Sequence, residues 1–180
     1  MAGMLQVPRS RGALAGTLLL LLGIWGALVP FIGPYFHYAY PPDRAWAYTS
    51  GRLWLEILPG AAAFLGGLMV LASRNRAVAG FGAWVAALAG LWFVVGGVLS
   101  TLWTASGGSV AGTPAGGTLA RAVEDVGFFA GLGAVIVFLA AFALGRFAVI
   151  GAREAAQRAG EPVSVPHEAT PPPGDHAGAS

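Results

Sequence analysis

A chain of 180 residues that is 56% hydrophobic and only 10% charged is far more apolar than a soluble domain, in which about a quarter of the residues carry charge. The formal charge of +2 is small, and the basic residues, all arginine, sit at segment ends instead of in one patch, which argues against a nucleic-acid partner. With no cysteine in the chain, disulfides, thiolate metal sites, iron–sulfur ligation and a cysteine nucleophile are excluded.

Residues 1–12 carry Arg9 and Arg11 ahead of the apolar run Ala13–Ile32. A signal peptide and a first membrane helix share this layout. The run is longer than the roughly 7–15 residues of a signal core, so an uncleaved helix is expected over 13–32, ending where Pro30 and Pro34 withdraw donors. The next stretch, from Gly33 to Gly51, holds all four tyrosines of the chain. Tyr35, His37, Tyr38, Tyr40 and Trp46 combine apolar rings with polar edges, which places this segment at the membrane interface. His37 has no second histidine or cysteine nearby, so it is read as an interfacial residue and not as a metal ligand.

Two long apolar segments follow, joined by Ser73-Arg74-Asn75-Arg76, and predict a membrane hairpin over about 53–72 and 77–103. Pro59 removes the hydrogen bond to the Leu55 carbonyl of a regular α-helix, so a bend is expected near Leu55–Pro59. Thr104–Thr118 has the glycine, serine and alanine content of a flexible linker. A fourth span is expected over 122–150, followed by a proline-rich, disordered tail over 151–180 in which His167 and His176 are solvated. The pairs Gly12/Gly16 and Gly127/Gly131 have the spacing of close helix contacts.

The resulting expectation is an all-α, integral-membrane four-helix bundle. Arg9, Arg11, Arg74, Arg76, Arg146, Arg153 and Arg158 fall on one side of it, against Arg44, Arg52 and Arg121 on the other. By the positive-inside rule both termini are then cytoplasmic, as in a multi-pass protein of the inner membrane. Helices one and two also align with helices three and four. Leu22-Gly23-Ile24-Trp25 matches Ala89-Gly90-Leu91-Trp92, and Arg52 before Glu56 matches Arg121 before Glu124 and Asp125. Two repeated hairpins related by an axis along the membrane normal are therefore expected.

With Gly23-Ile24-Trp25 followed by Val29-Pro30-Phe31, and Gly90-Leu91-Trp92 followed by Gly96-Gly97-Val98, the chain resembles the bacterial SPW-repeat membrane proteins. Their hairpins carry Gly-Leu-Trp and then Ser-Pro-Trp; here the first copy keeps the proline and the second keeps none of the three. The resemblance implies a four-helix fold and brings no reaction, cofactor or catalytic residue.

The sequence offers no nucleophile–base pair, no metal-ligand set and no nucleotide motif, so neither catalytic activity nor a cofactor is expected. Arg52, Glu56, Arg121, Glu124 and Asp125 gather at the starts of the second and fourth helices. They read first as structural charges favoured by the helix dipole, and second as a ligand site. Trp46, Trp54 and Trp103 are expected in the interfacial belt, and Trp25, Trp84 and Trp92 in the core. The leading reading is a small membrane protein that works through contacts with the bilayer and with a membrane-protein partner or a second copy of itself, or as an envelope component. The alternative is a small-ligand carrier or sensor built on the charge cluster and the tyrosine-rich segment.

Overall fold

The computed structural model describes residues 9–36, 38, 44–102 and 117–160, with side chains at 13–36, 38, 44–102 and 117–149. Within them the chain is all-helical and has four helices long and apolar enough to cross a membrane. Helix α1 is Arg9–Ile32, continued by a 3-10 turn at Gly33–Phe36. Helix α2 is Ser50–Ala72, α3 is Arg76–Ser100, and α4 begins with the span Thr118–Val149 and runs on to Gly160. They pack in ring order, each against the next, and α1 meets α4 more loosely. The end of the bundle that holds Gly33–Phe36 and the starts of α2 and α4 is termed the distal end below.

Local chemistry explains where the helices stop. Thr49 caps α2 by accepting from the Arg52 amide at 3.2 Å, and Asn75 caps α3 by accepting from Ala77 at 2.9 Å. The turn between α2 and α3 is further tied by a hydrogen bond from the Ser73 hydroxyl to the Asn75 carbonyl at 3.0 Å. Helix α1 passes through Pro30 and ends at Ile32, the expected limit, with Pro34 in the 3-10 turn that follows. Helix α4 outruns its expected end at 150: the run AREAAQRAG consists mostly of good helix formers and is helical to Gly160. The rest of the expected tail, and His167 and His176, lie outside the described residues.

Glycine lets the helices approach closely. A Cβ built on Gly16 would lie 2.8 Å from the Leu71 amide, and one on Gly60 2.6 Å from the Ala27 amide, so α1 and α2 meet backbone to backbone. Gly90 and Gly133 play the same part between α3 and α4, each facing the other's carbonyl oxygen at 2.8 and 2.5 Å from the built Cβ. The Gly127/Gly131 pair does not: Gly131 faces the Val126 carbonyl of its own helix, and Gly127 has only the Tyr38 hydroxyl within reach. Between α1 and α4 a side chain takes over, with Phe93 of α3 reaching Gly26 and filling the core beside Leu132.

Seams this narrow leave no room for an indole, which corrects the expectation for two tryptophans. Trp25 is 47% and Trp84 60% exposed, on the outer face of the bundle. Of these three described tryptophans only Trp92 finds a polar partner, donating its indole N–H to the Trp54 carbonyl at 2.8 Å. The reason lies in Pro59. Residues Leu53–Ile57 form a π turn, in which the Leu58 amide donates to Leu53. In that register the Trp54 carbonyl falls opposite Pro59, which has no donor, and the Trp92 indole replaces it. The proline thus produces a widened turn satisfied from the neighbouring helix. Trp92→Phe should cost about 1–3 kcal/mol for the orphaned carbonyl. In a Pro59→Ala background, where an amide is again available, the loss should shrink, and a double-mutant cycle of thermal melts in detergent checks it.

Candidate functional site

Among the described residues the buried polar and charged side chains are Arg52, Glu56, Ser100 and Glu124, and all four sit at the distal end of the bundle. Glu56 is the seventh residue of the span Ser50–Ala72, and Glu124 the seventh of Thr118–Val149, so the two glutamates enter at the same depth on helices at opposite corners of the ring. Both helices open with an α-helical turn followed by a π turn, Leu53–Ile57 in α2 and Asp125–Ala130 in α4; Glu56 lies within its π turn, and Glu124 is the last α-helical residue before its own. The two helix starts therefore share a backbone form, although the glutamates occupy different places in it. The unequal seams, close between α2 and α3 and looser between α4 and α1, depart from a symmetric pair.

Arg52 is fully buried and is turned toward the segment that precedes its helix. Its guanidinium donates to the Ala47 carbonyl at 2.7 Å and the Arg44 carbonyl at 3.4 Å, and lies 5.6 Å from the centre of the Phe31 ring. The same segment is held by the Trp46 amide, which donates to the Phe31 carbonyl at 3.2 Å. Trp46 adopts a left-handed conformation, φ 58°, uncommon for a bulky residue and strained unless its surroundings enforce it. The Phe31 carbonyl and the Arg52 guanidinium together enforce it.

Glu56 is in a different position. Its residue is fully buried, and neither carboxylate oxygen has a hydrogen-bond partner. Arg52, four residues earlier, supplies an attractive charge, but the order of the pair, arginine first, is the less favourable one on a helix, and the guanidinium is committed to the loop carbonyls. Arg121 and Asp125 are exposed, so the cluster divides: Arg52, Glu56 and Glu124 face inward while Arg121 and Asp125 face out. An ion pair between Glu56 and Arg121, the cross-hairpin contact that the repeat suggests, is not formed. Ser100, which the spacing of charges does not point to, joins the buried set from α3, its hydroxyl donating to Gly97 at 2.6 Å.

The interfacial residues divide too. Tyr35 and Trp46 are 69% and 65% exposed and, with Phe36, Tyr48 and Trp54, ring the distal end outside the bundle, as belt residues do. Tyr38 is half-buried instead: its amide donates to Gly33 at 3.0 Å and its ring meets Phe128 edge-on at 6.5 Å, so it closes the top of the core. His37, Tyr40 and Trp103 lie outside the described residues. Beneath this cap the core is apolar: Leu19, Ala63, Ala86, Phe93, Ile136 and Ala140 are all buried. Among the described residues no group of three or more histidine, aspartate or glutamate side chains converges as a metal site.

No family model, no curated protein and no solved structure matches the chain.

Proposed function

We propose that this membrane protein is a non-catalytic receptor or sensor that holds a small protonated amine at the distal end of its bundle. The observation that carries the reading is Glu56, a fully buried carboxyl group with no hydrogen-bond partner for either oxygen. Such a group is costly in an apolar interior and is retained where it meets a ligand. The oxygens of Glu56 have no donor and the Arg52 guanidinium is turned to the Ala47 and Arg44 carbonyls, so a ligand that supplies a positive charge would complete the site. A primary ammonium brings both that charge and hydrogen-bond donors.

A conduit across the membrane is disfavoured, because the buried polar groups stop at the distal end and the core below is aliphatic and aromatic. The arginine asymmetry supports an orientation with the distal end outside and the termini in the cytoplasm, which thiol labelling of single cysteines from either face would read directly. A role through protein contacts alone is the second reading. The outward-facing indoles of Trp25 and Trp84 favour it, since an indole N–H in hydrocarbon gains from an acceptor on a partner helix.

The test is a thermal melt of the purified protein in mild detergent against ammonium, methylammonium and short primary amines, with sodium and potassium as ionic-strength controls. A saturable rise in melting temperature for amines, lost in Glu56→Gln, is the expected result. No shift with any amine, together with an unaltered melt for Glu56→Gln, would reduce Glu56 to a silent buried acid and leave the contact role in place.

A further inference from the structure

A second feature of the distal half is independent of Glu56. Between α3 and α4 lies a groove of about 370 Å³ lined by Phe93, Val94, Gly97, Val98, Thr101, Asp125, Phe129 and Ala130. Phe93 and Phe129 form its buried wall, and Val94 and Val98, 40% and 72% exposed, leave its side open to whatever surrounds the bundle. Its floor is empty by construction: a Cβ built on Gly97 would have nothing within 4 Å. The volume suits a single alkyl chain and lies at the lower end of the range for small-molecule cavities.

The polar groups are confined to one end of this groove. Asp125 and Thr101 both line it, and both are hydrogen-bond acceptors, the Thr101 hydroxyl having spent its proton on the Val98 carbonyl at 2.7 Å. Arg121 stands one turn before Asp125 on an exposed α-helical turn. The chain between Asp125 and Arg146 is uncharged and as a helix spans about 30 Å, the thickness of the hydrocarbon core. Asp125 therefore lies at the hydrocarbon boundary and Arg121 among the headgroups.

An occupant of this groove must have an apolar chain, a donor-bearing cation at the depth of Asp125, and an anion within reach of Arg121. We propose that the α3–α4 groove is a binding site for an aminophospholipid of the phosphatidylethanolamine type, with one acyl chain between Phe93 and Phe129, its ammonium on Asp125 and Thr101, and its phosphate on Arg121. The ammonium is two carbons beyond the phosphate in that headgroup, so the ethanolamine arm must fold back toward the hydrocarbon from Arg121 to Asp125, a span of one helical turn or roughly 5–6 Å between Cβ atoms. A phosphatidylcholine has the charge without N–H donors, and a phosphatidylglycerol has the phosphate without the cation. The groove ranks the three lipids in the order ethanolamine, choline, glycerol.

The full-length protein in nanodiscs of equimolar phosphatidylethanolamine, phosphatidylcholine and phosphatidylglycerol is extracted into mild detergent, and retained lipids are counted by native mass spectrometry. The expected result is preferential retention of one phosphatidylethanolamine. Asp125→Asn removes the charge and should lower that preference roughly tenfold, as loss of a charge-assisted hydrogen bond does. Gly97→Leu fills the floor and should reduce retention of all three lipids. Gly80→Leu, at another glycine with open space around its Cβ, should leave retention unchanged and controls for folding. Equal retention of the three lipids by the parent protein, or an unchanged preference in Asp125→Asn, would overturn the proposal, as would undiminished retention in Gly97→Leu.

Discussion

Arg52→Ala is expected to be the most destabilising single charge removal in the bundle, at roughly 3–5 kcal/mol. Arg52 is fully buried, and its guanidinium holds the Ala47 and Arg44 carbonyls over the end of α1. Alanine would release these acceptors, take the cation from the face of Phe31, and leave Glu56 buried with the attractive charge of Arg52 gone. Arg52→Lys keeps a charge but not the planar fork and should fall between. Arg121→Ala removes the corresponding arginine of the second hairpin, but from an exposed site, and should hardly move the melt. Thermal or chemical unfolding in one detergent compares the three variants. Similar losses at positions 52 and 121 would show that the two arginines are equivalent solvated charges, and the buried loop anchor would be wrong.

The second large effect is a change of sign between glycines. Gly60→Ala would place a Cβ 2.6 Å from the Ala27 amide nitrogen. Because the obstacle is backbone, α1 and α2 must separate, at a cost of about 1–3 kcal/mol. Gly80→Ala meets nothing within 4 Å and replaces the poorest ordinary helix former by the best, a gain of up to about 1 kcal/mol. Gly145, also open, should behave as Gly80 does. Unfolding midpoints of the three alanine variants should straddle the parent value, and a common direction of change would contradict close packing at the α1–α2 seam.

Much of the distal site was legible from residue types alone. Arginine followed one turn later by an acid, at the start of two apolar segments, singles out Arg52, Glu56, Arg121, Glu124 and Asp125. It does not say which of them turn inward. Arg121 and Asp125 differ from Arg52 and Glu56 by their surroundings, since the first pair opens on a free helix face and the second lies under the segment that Trp46 and Phe31 hold in place. Pro59 announced a break in α2. Whether that break becomes a bend or a π turn depends on an indole arriving from α3, a contact across 38 residues of chain that local spacing does not contain.

The number, order and approximate limits of the spans belong to the sequence by itself. A hydrocarbon layer about 30 Å thick demands a minimum run of apolar residues, and that run can be counted along the chain. Facing belongs to the tertiary structure. In water, the buried and exposed sides of a helix differ in polarity, and periodicity reveals them; in lipid both sides are apolar and that signal is lost. Trp25 and Trp84 consequently face outward where tryptophan was expected inside, and Gly60 lies in a seam while Gly80 lies in the open. Two glutamates at the same depth share a buried interior while the aspartate next to one of them looks out. What settles each case is which backbones approach closely enough to exclude a side chain, a property of pairs of helices and not of any one of them.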